Sequence, residues 1–379
     1  MKIMNVLMFS LVTAMLLFSV VGCTQSPTGE YVKVGSDDPI KIGVVLPMTG
    51  EAASWGENAF AGITLALNEV NAQGGISGQE VEVVLEDDSC SASSVAAFNK
   101  EVNVDQVDAI VGPICSAAAG PAIPIAQSAN VPVMMVAASA PDLTSVGDCI
   151  FRIYPSDSLQ GVVGAEYMME ELGYDKVALV YTKNDWGEGM KNVFTKSFEE
   201  MGGEIVYESG VLQTDTDFRT EITKIKNSGA EAIFAPIYPT NAVAFFKQAE
   251  ELSLNLPMLG GDAWQGEEVW ASGYGDGAIY STVSIEQSNA FENKIHALPG
   301  YENLEISIAA SLGYDAFMVM VEAIEDAGST DANDIKAALR DTSYSGESND
   351  LIQFDEIGDI ASAGYDFFMI KDSESVLLK

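Results

Sequence analysis

Apolar and polar positions follow two different periods along most of the chain. Short apolar runs rich in β-branched residues, such as IKIGVVL at 40–46 and DAIV at 108–111, predict buried strands. Between them lie segments with apolar residues three or four positions apart, such as 56–75, which ends at a pair of glycines, and these predict helices. Strands that alternate with helices in this way predict an α/β protein with parallel sheets covered by helices on both faces.

The alternation occurs in two series. The first covers 39–138, and the second begins after FRIYPSDSLQG at 151–161 and continues to LPMLGGD at 256–262. Because the order of elements repeats, we predict two similar α/β lobes. A long helical pattern at 306–328 and a final strand pattern at 364–372 are too little for a third domain, so we expect them to return to the two lobes.

The N-terminal residues differ from the rest of the chain. Lys2 is the only charged residue before Cys23, and residues 4–21 are almost wholly apolar, which predicts a signal peptide at 1–22. The small residue before Cys23 and the polar TQSPTGE after it resemble the lipobox of secreted lipoproteins, whose cysteine is lipidated after cleavage. We therefore expect 23–38 to be a lipid anchor and linker, with the body of the protein outside the membrane. An uncleaved membrane anchor is the alternative.

Charge and cysteine content narrow the function classes. The chain has 56 Asp and Glu against 18 Lys and Arg, a net charge of −38, which disfavours binding to nucleic acid through a basic patch. After lipidation of Cys23, three cysteines remain, of which one pair can form a disulfide in an oxidising compartment. Their spacing fits no zinc pattern and His296 is the only histidine, so we predict no metal and no cofactor.

Several motifs occur in a fixed order from about residue 40 to the C-terminus and together resemble one family. The resemblance is to the type I periplasmic binding proteins, and within them to the leucine/isoleucine/valine-binding branch that serves ABC transporters. The motifs are IKIGVVLPMTGEAASWGENAFAGITLALNEVNAQGGISG, EDDSC, VDAIVGPICSAAA, ASAPDLT, FRIYPSDSLQG, DWGEG, TDTDF, LGGDAW and FDEIGD.

The resemblance implies two doubly wound parallel-sheet lobes joined by three hinge crossings, with a ligand held in the cleft between them. We place the crossings near residues 156, 284 and 350. Lobe 1 then comprises 39–156 and 285–350, and lobe 2 comprises 157–284 and 351–379.

The segment GPICSAAAG at 112–120 has mostly small side chains, and it lies where a predicted strand ends and a predicted helix begins. Unpaired N–H groups at a helix start favour an anion, and small side chains let that anion approach. By resemblance, Ser116, Ser139 and the Ala138 backbone hold the α-carboxylate of an amino acid and accept part of its ammonium group. From local sequence alone, Ser116 is equally well explained as an N-cap.

The resemblance assigns the ammonium group chiefly to Asp262, which an isolated sequence would give simply as an exposed loop carboxylate. It also implies a disulfide between Cys90 and Cys115, and leaves Cys149 without a partner. The sequence does not decide whether Ile237 or Tyr238 faces the ligand. The predicted aromatic walls are Trp55, Trp186 and Tyr238, with Trp264 as a further ring.

The predicted function is that of a lipid-anchored solute-binding protein, which captures a branched-chain or other hydrophobic amino acid and delivers it to an ABC permease. The alternative is the same fold binding an amide, urea or an aromatic acid, for transport or sensing. An enzyme is not predicted. The glycine-rich 74–78 lies between a helix and a strand, the reverse of a phosphate-binding loop, and His296 is far along the chain from Ser116.

Overall fold

The structure is a computed structural model that describes residues 38–285, 287–361 and 363–378. The predicted signal peptide, Cys23 and its lipidation, and the linker as far as residue 37 lie outside the described residues. In the described part of the chain, no helix combines the length and apolarity needed to cross a membrane.

The first series of elements forms as the apolar pattern predicts. Each strand is almost wholly buried except β2, which is half-exposed at the sheet edge. One helix differs at its end from the prediction, because α1 begins three residues earlier, and α2 continues into a π-helical turn at Glu101–Asp105. The elements are β1 (Ile40–Leu46), α1 (Ala53–Ala72), β2 (Val81–Asp87), α2 (Ser94–Lys100), β3 (Ala109–Val111), α3 (Ser116–Ala129), β4 (Val133–Met135) and β5 (Ile150–Arg152).

The second series repeats this order. Its helices bury one apolar face and expose a charged one, as α5 shows with Phe194 and Phe198 inside the lobe. The elements are α4 (Asp157–Glu166), β6 (Lys176–Thr182), α5 (Asp185–Glu200), β7 (Glu204–Val211), α6 (Arg219–Lys226), β8 (Ala232–Phe234), α7 (Pro239–Glu251), β9 (Met258–Gly260), α8 (Glu267–Trp270) and β10 (Ile279–Val283).

The remaining elements return to the two lobes. The long helix α10 packs against α1, and the hairpin of β11 and β12 extends the second sheet beyond β10. Neither α9 nor α11 was predicted, since each is short, with eight and nine residues. The elements are α9 (Asn289–His296), α10 (Ile308–Ala327), α11 (Ala332–Arg340), β11 (Tyr365–Lys371) and β12 (Glu374–Leu377).

The two sheets have similar topology. The first has the strand order β2-β1-β3-β4-β5 with all pairs parallel, so the order reverses between β1 and β3. The second has the order β12-β11-β10-β9-β8-β6-β7 and is parallel apart from the pairs that involve β11. These two doubly wound, mostly parallel sheets with flanking helices confirm the predicted fold class.

The chain passes between the sheets three times. The first two crossings lie between β5 and α4 and between β10 and α9. Residues 351–361, predicted in lobe 2, instead contact the first sheet: the Arg152 N–H donates to the Gly358 carbonyl (2.8 Å), and the rings of Phe151 and Phe354 are 5.4 Å apart. We therefore propose that the third crossing comes after Asp359 and before β11 begins at Tyr365, rather than near 350. A polar loop without helical or strand period carries no signal of this boundary.

Candidate functional site

A cavity lies between the two lobes, and its empty space, together with the adjoining open solvent, amounts to about 510 Å³. It opens beyond the carboxyl ends of strands next to the points where the strand order reverses, which is where open α/β sheets bind ligands. Six of the seven predicted ligand-binding residues line it, and they come from both lobes. These six are Trp55, Ser116, Ser139, Trp186, Tyr238 and Asp262.

Ser116 is the first residue of α3 and is almost completely buried. Its Oγ accepts hydrogen bonds from the backbone N–H groups of Ser139 (3.1 Å) and Ala140 (3.0 Å). With its oxygen occupied by two donors, the Ser116 hydroxyl keeps its own proton available to donate. Among the described residues, no side chain caps α3. The Ala118 and Ala119 N–H groups donate to the Cys115 carbonyl, so the N–H groups of Ser116 and Ala117 are the ones left as further donors at this helix end.

The Ser139 hydroxyl has the opposite hydrogen-bond role to that of Ser116. It donates to Asp157 Oδ2 (3.0 Å), and the Ser139 carbonyl accepts from the Asp157 backbone N–H (2.8 Å). The lone pairs of Ser139 Oγ are therefore left to accept a hydrogen bond from a ligand. Ser116 and Ser139 thus present a donor and an acceptor, respectively, on neighbouring loops.

Asp157, which the sequence analysis missed, does not line the cavity but accepts a hydrogen bond from Ser139, which does. It is the first residue of α4, directly after the Ser156 N-cap, and it is fully buried. Burial, with the negative charge of Asp262 adding to it, raises the pKa of Asp157 well above the ordinary value, although Arg152 opposes the shift. In the sequence, Asp157 is marked only by its place after a buried strand and a proline in FRIYPSDSLQG, and this does not distinguish it from the many other acidic residues.

Arg152 explains why Ala138 does not line the cavity. The buried guanidinium forms a bidentate ion pair with Asp359 and donates from Nη1 to the carbonyls of Ala138 (3.2 Å) and Ala140 (2.9 Å). The Ala138 carbonyl is thus already occupied, and its neighbour Ala137 lines the cavity instead. Tertiary contacts therefore decide which of the adjacent residues Ala137 and Ala138 faces the cavity.

Asp262 follows β9 and provides a buried carboxylate on the second lobe. The Tyr154 hydroxyl donates to its Oδ2 (2.7 Å), which joins the end of the first lobe to the second. Burial raises the pKa of Asp262 to about 6, while the bonds from Tyr154 and from backbone amides lower it. At neutral pH, the Asp262 carboxyl is therefore largely ionised.

The aromatic predictions have mixed outcomes. The rings of Trp186 and Tyr238 lie 5.0 Å apart, and the Asn184 side-chain amide donates to the Tyr238 hydroxyl (3.3 Å). Ile237 is buried in the core of the second lobe, so Tyr238 is the residue of the two that faces the cavity. Trp264 is also in that core, where its indole N–H donates to the Ile237 carbonyl (3.0 Å), and it adds no ring to the cavity.

The disulfide between Cys90 and Cys115 is present, as the resemblance implies. The two Cα atoms are 5.3 Å apart, and Cys115 both precedes α3 and lines the cavity. The bond therefore anchors the segment that presents Ser116. Cys149 is a buried free thiol. Among residues 38–285, 287–361 and 363–378, no three His, Cys, Asp or Glu side chains are grouped as metal ligands would be.

Comparisons with known proteins agree with this geometry. The model of a family described as periplasmic binding protein matches residues 39–373. The leucine-, isoleucine-, valine-, threonine- and alanine-binding protein of Pseudomonas aeruginosa is 30% identical over 335 residues, which cover 87% of this chain and 89% of that protein.

Two solved structures are similar over nearly the whole described chain. A leucine-binding protein from Thermotoga maritima has a TM-score of 0.82 at 27% identity and covers 90% of this chain and 98% of its own. A branched-chain amino acid transporter substrate-binding protein from Streptococcus pneumoniae, in complex with isoleucine, has a TM-score of 0.79 at 28% identity. It covers 90% of this chain and 100% of its own.

Proposed function

Because this chain belongs to the periplasmic binding protein family, we propose that it captures a hydrophobic amino acid between its two lobes and delivers it to an ABC permease. The family is extracytoplasmic and consists of solute-binding proteins, so the prediction that the chain is not an enzyme is confirmed. The observation that carries the proposal is the pairing, in one cavity, of hydrogen-bond donors on one lobe with a buried carboxylate on the other.

This pairing suits the two charges of an amino acid. We propose that the Ser116 hydroxyl and the first N–H groups of α3 bind the α-carboxylate. Asp262, Ser139 Oγ and the Ala137 carbonyl, in place of the Ala138 carbonyl, then accept from the α-ammonium. An ionised carboxylate in a closed cavity is costly unless it is paired, so the ammonium group stabilises the closed form.

The rest of the cavity favours an apolar side chain. Trp55, Trp186 and Tyr238 offer large apolar area that loses little side-chain entropy on binding. The ligand contacts both lobes and thereby shifts the equilibrium towards the closed arrangement, with no chemical step.

The alternative ligands fit the charges less well. Among the residues that the structure describes, those that line the cavity include Glu51 and Asp262 but no lysine, arginine or histidine. An aromatic acid without an amine would bring a third carboxylate into this cavity without a cation to balance it. Urea and neutral amides avoid that repulsion but leave the ammonium site of Asp262 unused.

We further propose that the protein is tethered to the outer face of a membrane by a lipid on Cys23, after cleavage of a signal peptide at 1–22. The support is the apolar segment before Cys23 and the polar spacer after it.

The proposal is tested by thermal unfolding of the purified protein, freed of host-derived ligand, with each amino acid, urea, short amides and aromatic acids. A ligand that binds the folded form raises the midpoint according to its concentration relative to its Kd. We expect a shift with leucine, isoleucine or valine, and a loss of affinity of about 10- to 100-fold in Asp262→Asn and Ser116→Ala. Shifts confined to compounds without an α-amine would refute the assignment of Asp262.

A further inference from the structure

The cavity contains a second carboxylate that the proposed amino-acid site does not use. Glu51 lies in the loop between β1 and α1, just after Gly50, and it lines the same cavity as Asp262. Its Oε2 is buried and accepts no hydrogen bond from any residue that the structure describes. A buried acceptor without a donor costs free energy, so this oxygen requires an explanation.

The surroundings of Glu51 place it at the aromatic side of the cavity. Tyr238 and Pro239, which open α7, line the cavity with it. Burial is the main cause that raises the pKa of the Glu51 carboxyl, and a side-chain hydrogen bond with Thr240 opposes the shift.

Glu51 and Asp262 form two separate acceptor positions. Glu51 lies in the loop between β1 and α1 of the first lobe, whereas Asp262 follows β9 in the second lobe, so the two carboxylates line the cavity from different lobes. Both carboxylates nevertheless act on the Tyr238 phenol, whose pKa is raised chiefly by burial and further by their charges. Tyr238 therefore lies within electrostatic range of both.

We propose that Glu51 is a specificity-determining residue, which accepts a hydrogen bond from a second N–H or O–H donor on the side chain of the bound amino acid. This inference rests on the proposed function, because it requires an amino acid whose ammonium group pairs with Asp262. The ligand class is then an amino acid with a largely apolar side chain that carries a hydroxyl or amide group. Trp55 and Trp186 contact the apolar part, and Glu51 selects the donor.

A different role for Glu51 makes a different prediction. Glu51 belongs to the first lobe and Thr240, whose side chain opposes the rise in the Glu51 pKa, to the second, so an interaction between them would help to hold the cleft closed. A contact that only supports closure contributes equally to every ligand that the closed form binds. A contact that selects the ligand changes the ratio of two affinities, which is the quantity to measure.

The experiment compares amino acids of nearly equal shape, threonine with valine and asparagine with leucine, by titration calorimetry on the full protein. We expect the donor-bearing member of at least one pair to bind about tenfold more tightly, since a hydrogen bond to a charged group discriminates by that much or more. In Glu51→Met the ratio is expected to fall to about one, because the acceptor is gone and valine or leucine binding is kept. Glu57→Met is the matched control, since Glu57 is exposed on α1 and is not among the lining residues.

Each of the other outcomes counts against the inference about Glu51, against the proposed function, or against both. If Glu51→Met weakens both members of a pair equally, Glu51 supports closure only and the inference fails while the proposed function stands. If the unchanged protein binds both members of each pair equally well, the inference also fails and the proposed function stands. If no amino acid binds at all, the proposed function fails and the inference with it. Should Glu51→Met not fold, Glu51→Gln keeps the shape and is expected to reduce the ratio as well, because a neutral amide is a weaker acceptor.

Discussion

At the scale of single residues, the ligand cavity depends on which groups donate and which accept. Ser116 accepts two backbone N–H bonds and retains a proton to donate, whereas Ser139 donates to Asp157 and retains lone pairs. Two identical hydroxyls therefore have opposite roles. Asp262 carries the charge that this arrangement needs, and its carboxyl is held by Tyr154.

The raised pKa of Asp262 leads to a pH-dependent affinity. With a pKa of about 6 in the empty protein, Asp262 takes up a proton as the pH falls, and the ammonium group of a ligand must displace it. We expect amino-acid affinity to be constant above about pH 7 and to fall by up to about tenfold per unit below about pH 6. Calorimetry across this range measures it, and Asp262→Asn is expected to bind weakly without that slope. A wild-type affinity that does not change between about pH 5 and about pH 7 would contradict the assignment.

At the scale of elements, α3 and α5 meet across the cleft through glycines. A Cβ added at Gly120 would lie 2.3 Å from Asp185 Oδ2, and one added at Gly189 would lie 2.7 Å from Cδ of Pro141. These helices belong to different lobes, so the small residues allow the lobes to approach closely. Both glycines have helical backbones, and space rather than conformational freedom is the reason for them.

We expect Gly189→Ala to weaken ligand binding by about 5- to 100-fold, because overpacking of this contact disfavours the closed arrangement. The unfolding midpoint of the empty protein is expected to stay or rise slightly, since alanine favours helix more than glycine does. Calorimetry and thermal unfolding measure the two effects. Gly164→Ala is the control, because its Cβ would meet only ordinary contacts, the nearest at 3.7 Å. Unchanged binding by Gly189→Ala would mean that α5 and Pro141 separate in the liganded form.

At the scale of the whole molecule, a chain with 56 acidic and 18 basic residues places one of its few cations fully inside. Arg152 joins β5, the ligand loop through the Ala138 and Ala140 carbonyls, and the returning segment through Asp359. The partners in this ion pair are 207 residues apart in sequence. The pair therefore connects the late return segment to the loop that carries Ser139.

We expect Asp359→Asn to lower the free energy of unfolding by about 3–5 kcal/mol, because it leaves the Arg152 charge buried without its counter-ion. Urea denaturation measures the loss. Glu251→Gln removes one partner of the exposed Arg219–Glu251 pair and is expected to cost at most about 1 kcal/mol. Similar losses in the two variants would show that burial does not distinguish these ion pairs.

The outcomes for individual residues show where sequence reasoning stopped. Ser116, Tyr238 and Asp262 line one cavity, and they were identified from the family resemblance rather than from their local pattern. Asp157 and Glu51 were missed, because in so acidic a chain a single carboxylate carries no signal until its burial is known. The ligand-binding roles of all these residues remain predictions for the experiments above.

The alternation of apolar periods was enough to establish two α/β lobes, because each buried strand or helix face requires apolar residues at a characteristic spacing. The ordered motifs added the family and the Cys90–Cys115 disulfide. Three features depended on the folded chain: the cavity-facing residue of the pair Ala137 and Ala138, the orientation of each serine hydroxyl, and the place of the third crossing. Each is set by hydrogen bonds between residues far apart in sequence, such as Arg152 with Asp359, and such partners leave no periodic trace in the chain.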